Sequence, residues 1–154
     1  MISIQTEITI DRPIRCCFDA ARDLDLHTRT VWKHTHEKVI SSPGGKDGQL
    51  IGYGEMVTFE ATHFFVRQRL TSKVVAFEPP YMFTDQMQQG AFRSMTHIHE
   101  FEVLGPSSTR LRDSLYFEAP YGWVGRLAER FILQSYMKNF LEFRNKQLKK
   151  ILEL

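Results

Sequence analysis

The sequence is short of cysteine, of long apolar runs and of charge of one sign, and each shortage removes a class of protein. Only Cys16 and Cys17 occur, and as chain neighbours they do not bridge each other. Two thiols cannot assemble a Cys-type zinc site, and the pattern fits a reducing compartment. No apolar stretch approaches the roughly 20 residues of a membrane-spanning helix. Met1 to Ile10 alternates instead of joining a basic end to a greasy block, so a cytoplasmic protein with no membrane span is expected. Twenty Lys and Arg against eighteen Asp and Glu leave a formal charge of +2, with the basic residues scattered, which argues against nucleic acid as a partner. There is no Gly-x-Gly-x-x-Gly or Gly-x-x-x-x-Gly-Lys string to cradle a nucleotide, and no Gly-x-Ser-x-Gly elbow for the simplest hydrolase. No cofactor is expected.

What is present is a core. Of 154 residues, 42% are apolar and 25% charged, the balance of one soluble domain spanning residues 1–154. Ile2, Ile4, Ile8 and Ile10 share a parity against Ser3, Gln5, Glu7 and Thr9, which predicts a half-buried strand. Asp11 and Pro13 supply a helix start, and Ile14, Cys17, Phe18 and Ala21 recur at helical spacing; Leu24 to Thr30 predicts a second short helix. Val31 to Ile40 is read as a strand closed by a mobile loop, Ser41-Ser42-Pro43-Gly44-Gly45-Lys46-Asp47-Gly48. Further strands are expected at about Leu50–Glu60, Phe64–Phe77, Tyr81–Gln88, Phe92–Leu104 and Thr109–Glu118, spaced as antiparallel hairpins.

After Pro120 and Gly122 the period changes. Val124, Leu127, Phe131, Met137, Phe140, Leu141, Leu148 and Ile151 keep helical steps, which predicts one C-terminal helix. At about 30 residues it would be roughly 45 Å long, too long for anything but the concave face of the sheet. The expected class is α+β: a curved antiparallel sheet of about seven strands wrapped around that helix. Twelve Phe, five Tyr and two Trp suit the lining of an apolar pocket between them.

Several strings carry a resemblance across nearly the whole chain. They are Ile8-Thr9-Ile10-Asp11-Arg12-Pro13 leading to Cys17-Phe18-Asp19; Glu78-Pro79-Pro80-Tyr81-Met82-Phe83-Thr84-Asp85; Gly90-Ala91-Phe92; His97-Ile98-His99-Glu100-Phe101; Thr109-Arg110-Leu111-Arg112-Asp113; Pro120-Tyr121-Gly122; and Arg144. In these the chain resembles the START/birch-allergen-like superfamily, often called SRPBCC, and within it the bacterial polyketide cyclase/dehydrase-like group. Met95 stands where many relatives carry a Trp. The resemblance implies a helix-grip fold with a hydrophobic cavity between sheet and C-terminal helix. Lipid carriers, hormone receptors and cyclases share that fold, so it does not choose a function.

Parity selects the chemistry-bearing residues. Met95, His97, His99 and Phe101 share a strand face, as do Phe83, Asp85 and Met87, and Leu111, Asp113, Leu115 and Phe117. His97, His99, Asp85 and Asp113 are therefore the catalytic candidates, able to move protons on a bound carbonyl compound. The better reading of the same residues is a buried hydrogen-bond network that fixes the sheet's register. His97-x-His99 and His34-x-His36 also offer imidazole pairs to Zn²⁺ or Fe²⁺ if a third ligand joins. Val103 stands where a cupin would carry Glu, and no metal is expected. Arg67 and Arg69 share a face with Phe65, and Arg144 lies among Phe140, Leu141 and Leu148; an inward Arg could clamp a ligand carboxylate or phosphate, pair with Asp85 or Asp113, or snorkel to water. With Phe65, Arg67, Arg69, Phe83, Met95, His97, His99, Phe101, Phe117, Trp123, Met137, Phe140 and Arg144 as its expected contacts, the preferred function is binding of a hydrophobic or amphipathic small molecule. The alternative is a cyclase- or dehydratase-like enzyme on an aromatic or polyketide-like substrate. An apolar patch on an edge strand or on the outer helix face would favour a homodimer.

Overall fold

The computed structural model describes residues 1–42 and 50–154. Period-2 patterning becomes β1 (Ile2–Ile10), whose inward Ile4, Thr6 and Ile10 are buried. Pro13 then opens α1 (Ile14–Arg22), which seats Cys17, Phe18, Ala20 and Ala21 against the sheet. The chain turns at Asp23, whose carboxylate accepts from the backbone N–H of Asp25 at 3.0 Å and of Leu26 at 3.2 Å, capping α2 (Leu24–Thr30).

The strands β2 (Lys38–Ser41), β3 (Met56–His63), β4 (Val66–Glu78), β5 (Met82–Gln89), β6 (Ser94–Gly105) and β7 (Ser108–Glu118) follow as consecutive antiparallel hairpins. β1 closes the far edge against β7, with Ile4 opposite Leu115 and Ile10 opposite Thr109, so the sheet runs β1-β7-β6-β5-β4-β3-β2. The helical segment comprises α3 (Gly122–Ala128), a π turn at Glu129–Leu133 and α4 (Gln134–Leu152). On α4 the buried positions are Leu141, Arg144, Asn145 and Leu148, at i, i+3, i+4 and i+7, and this stripe faces β1 and α2.

Two apolar clusters frame the space between sheet and helices. Under α1, Phe18 meets the rings of Phe77, Phe83 and Phe101 at centroid distances of 5.6, 5.7 and 5.3 Å. At the other end Ile4, Leu115, Phe117 and Leu141 form a second cluster, extended by Phe92, Met95, Leu133 and Met137.

The structure departs from the sequence expectations in three places. Val31–Ile40 is not a single strand: Lys33–Thr35 is a 3₁₀ turn, closed by the Thr35 hydroxyl donating to Trp32 O at 2.7 Å, and His36 is left-handed at φ 48°. Leu50 makes only an isolated bridge to Asp23, and the next strand begins at Met56. The C-terminal helix runs from Gly122 to Leu152 as expected but widens into the π turn, where the buried Glu129 carboxylate reaches back to accept from Ala119 N–H at 2.6 Å. Gly125 makes this approach possible, because a Cβ there would sit 2.0 Å from the Pro120 carbonyl oxygen. The expected mobile loop falls, beyond Ser42, outside the described residues.

Candidate functional site

Between the inner face of the sheet and α4 lies a cavity of about 340 Å³. Its apolar wall is built by Val57, Ala61, Leu70, Val74 and Phe83 from the sheet and by Leu133, Met137, Phe140 and Leu141 from the helical side, with Leu24 and Ile51 beneath. This size and lining are those of a small-molecule site, for which roughly 300–1,000 Å³ is usual. Besides Gln68, Arg69 and Ser72 of β4, polar side chains enter the wall at three places.

At the first, parity brings the two histidines of β6 onto the wall, stacked on each other with ring centroids 3.8 Å apart. His99 is stacked on its other face by Phe83, directly opposite in register, at 4.1 Å. The hydrogen bonds run diagonally across the ladder. His99 Nε2 donates to Asp85 Oδ2 at 2.8 Å, and His97 Nε2 donates to Asp113 Oδ1 at 2.7 Å. His99 Nδ1 lies 3.2 Å from Asp113 Oδ1, within ion-pair reach but off the direction of a hydrogen bond. Behind them Asn145 Nδ2 donates to Asp113 Oδ2 at 2.7 Å and lies 3.3 Å from Thr6 Oγ1, tying α4 to β7 and β1. Burial would push the Asp113 carboxyl up, but the hydrogen bond from His97 and the close approach of both imidazoles outweigh it and hold Asp113 well below the usual carboxylate range. Asp85 is depressed for the same reason: burial is overcome by His99. Burial would also lower His99, yet Asp113 and Asp85 on either side raise it, whereas in His97 burial and the neighbouring His99 charge win and lower it. The set thus favours a proton on His99, which lies between two carboxylates, over one on His97, whose Nε2–H is committed to Asp113. Among the described residues His97 Nδ1 has no hydrogen-bond partner.

At the second place Glu37, depressed against the effect of burial by the charge and hydrogen bond of His27, accepts from His27 Nε2 at 2.8 Å. Nearby His63 Nδ1 and the Tyr136 hydroxyl are 2.6 Å apart. Burial lowers the His63 pKa and raises that of Tyr136. The third place is Arg144. Only 5% of its surface is accessible, it lines the cavity, and among the described residues it has no hydrogen bond and no ion pair.

Of the residues expected to contact a ligand, Arg69, Phe83, Met95, His97, His99, Met137, Phe140 and Arg144 stand on the cavity wall, as does the catalytic candidate Asp85. Asp113 stands behind the histidines. Five others do not line it. Phe65 is not on a strand face at all: it is the second residue of a two-residue hairpin turn, at φ 65°, and fully exposed. Arg67 is turned outward, with Nε on Glu60 at 2.8 Å and Nη1 on the Thr35 carbonyl at 3.1 Å. Phe101 is packed beneath α1, and Phe117 is sealed against Phe92 at 5.3 Å. Trp123 is 68% exposed, because α3 turns Gly125 rather than Trp123 inward. His34 and His36 are exposed and sit at the 3₁₀ turn, not on one strand face. His27, Glu37, His63 and Tyr136 carried no signal in the sequence: they come from irregular or partly exposed positions, and His63 and Tyr136 are 73 residues apart.

Asp85, His97 and His99 present ligand atoms within 4.8 Å of one another, a donor set of the type that holds Zn²⁺ or Fe²⁺. Hydrogen bonds engage both imidazole Nε2 atoms with carboxylates, while the Nδ1 atoms of His97 and His99 have no hydrogen-bond partner among the described residues.

No protein-family profile and no curated relative matches the chain. Solved structures do. The protein TTHA0849 from Thermus thermophilus superimposes with a TM-score of 0.76 at 17% identity, over 97% of this chain and 95% of that one. A START superfamily protein from Mycobacterium smegmatis gives 0.73 at 14%, over 98% and 97%. The major latex-like protein 151 of Panax ginseng gives 0.68 at 12%, also over 98% and 97%. The chain therefore has the helix-grip fold of START and birch-allergen-like proteins. At these identities the likeness is one of fold alone.

Proposed function

We propose that the protein binds a hydrophobic or amphipathic small molecule between its sheet and its C-terminal helix. The observation that carries this reading is the cavity of about 340 Å³ with its largely apolar wall. A cavity of that kind otherwise leaves its lining without contacts, a destabilising arrangement that an apolar guest relieves. Saturable uptake of the neutral fluorophore N-phenyl-1-naphthylamine tests it. One molecule per chain is expected, and Met137→Trp or Leu70→Trp, each filling the hollow, should abolish uptake while far-ultraviolet circular dichroism is unchanged. Absence of saturation in the wild type, or indifference to both substitutions, would sink the reading.

A second reading is favoured by one feature. His97 is on the cavity wall, and Asp113 fixes its Nε2–H, which leaves the other ring nitrogen to exchange protons with a guest. This suits a cyclase- or dehydratase-like reaction on an aromatic or polyketide-like substrate, with His97 as proton shuttle. Turnover of such a substrate that disappears in His97→Gln while fluorophore uptake persists is the expected result; unchanged turnover would remove His97 from the chemistry.

A further inference from the structure

Arg144 sits mid-way along the buried stripe of α4, between Leu141 and Leu148, where a core-facing helix would ordinarily continue with an apolar residue. A guanidinium has five N–H donors and stays charged at any ordinary pH. Taking it out of water is costly unless an anion and its hydrogen bonds replace the lost solvation. Here that replacement is missing among the described residues, although two carboxylates share the cavity. Each of those is engaged elsewhere: Glu37 with His27 at 2.8 Å and Asp85 with His99 at 2.8 Å, and neither comes within ion-pair distance of Arg144. Their fields reach it, since Arg144 is among the charges that depress both Glu37 and Asp85. The cavity therefore sustains the cation from a distance while leaving its planar fork of donors unoccupied.

We propose that Arg144 is the head-group receptor of this cavity and that the guest is an amphipathic monocarboxylic acid, its carboxylate held by the guanidinium and its apolar body against the wall. The inference rests on the cavity being a ligand site and names the class of ligand. Two oxygens of a carboxylate match two parallel guanidinium N–H groups in one plane. A phosphate monoester fits less well, because its second negative charge would meet Glu37 and Asp85 with no further free cation among the described cavity residues: Arg69 is held by Glu60, and His99 lies between two carboxylates. Leu133, Met137 and Phe140, one to three turns before Arg144 on the same side of the helical segment, offer the apolar body its surface.

The test is displacement of N-phenyl-1-naphthylamine by decanoate, decanamide, decan-1-ol and decyl phosphate. Decanoate should compete at least about tenfold more tightly than decanamide or decan-1-ol, and more tightly than decyl phosphate. Arg144→Met, with each competition read relative to its own fluorophore affinity, should lose the preference for the acid; Arg144→Lys, retaining the charge without the planar fork, should keep part of it. Equal affinity for acid and amide, a tighter fit for decyl phosphate, or an acid preference that survives in Arg144→Met would each overturn the assignment while the hydrophobic-site reading stands. Failure of the fluorophore and all four competitors to bind the wild type would remove both.

Discussion

At the scale of single residues, Asp113 and Arg144 are opposite cases of buried charge. Asp113 is fully buried, accepts from His97 and Asn145 and has His99 Nδ1 3.2 Å away, so two hydrogen bonds and an ion-pair contact converge on its two oxygens. An amide in its place would offer one oxygen and one N–H₂ group, and a donor would then face a donor. Asp113→Asn is therefore expected to destabilise the protein at neutral pH by about 3–5 kcal/mol, the usual cost of removing one partner from a buried ionic network, as read by urea unfolding. Among the described residues Arg144 has no such satisfaction, so its removal should act in the reverse sense. Arg144→Met, of similar length and apolar, is expected to make the ligand-free protein more stable by on the order of 1 kcal/mol, seen as a higher Tm. A lower Tm would mean that the guanidinium already has a partner holding it.

At the scale of elements, the hairpin joining β3 to β4 departs from local rules. Its two turn residues are Phe64 and Phe65, with φ of 51° and 65°, where Asn-Gly or Gly-Gly is the ordinary choice. Both side chains are exposed, Phe65 completely, while Phe64 also touches the cavity lining and lies 4.5 Å from the Tyr136 ring. A left-handed non-glycine residue costs of order 1 kcal/mol or more, and the Phe64–Tyr136 contact returns only part of that. Replacing the pair by Asn-Gly should raise stability by about 1 kcal/mol and, by removing a ring from the cavity rim, speed release of the bound fluorophore in stopped-flow measurements. A slower release would show that Phe64 does not border the route out. Other elements were plainly written in the sequence: β1 and α1 stand where alternation and Pro13 place them. The π turn was not, because an inward Glu129 at a helical position reads as an ordinary solvated Glu until its partner, the Ala119 N–H, is known.

At the scale of the whole molecule, parity told which face of each strand looks inward, and that was enough to bring His97, His99, Asp85 and Asp113 together. It carries no information on position along the strand, so it could not separate His99, on the cavity wall, from Phe101, two residues on and covered by α1. The assembled charges set the protein's response to pH. Asp113, Asp85 and Glu37 all have carboxyls depressed below ordinary values of 3.8 for Asp and 4.5 for Glu. Each therefore contributes stability that is complete above its ordinary value and is lost as pH falls through the depressed one, because the unfolded chain takes up protons first. The histidines divide. His99, raised above 6.5, stabilises fully below that value and loses its contribution as pH rises through its folded pKa. His97 and His63, lowered below 6.5, act oppositely: the unfolded chain protonates them first, and stability falls as pH drops through 6.5. Near neutrality these histidine contributions oppose one another, so unfolding free energy should change little there. Below about pH 4.5 Glu37 begins to lose its contribution and below 3.8 the two aspartates follow, so the curve should fall steeply there. Urea unfolding across pH 3 to 9 reads the whole profile on the order of one pH step at a time. Asp113→Asn should lower the plateau and make the acid limb shallower, since the most strongly depressed of the three groups no longer titrates. An acid limb of unchanged steepness in that variant would mean that Asp113 is not ionised in the folded protein, and the raised proton affinity of His99 would go with it.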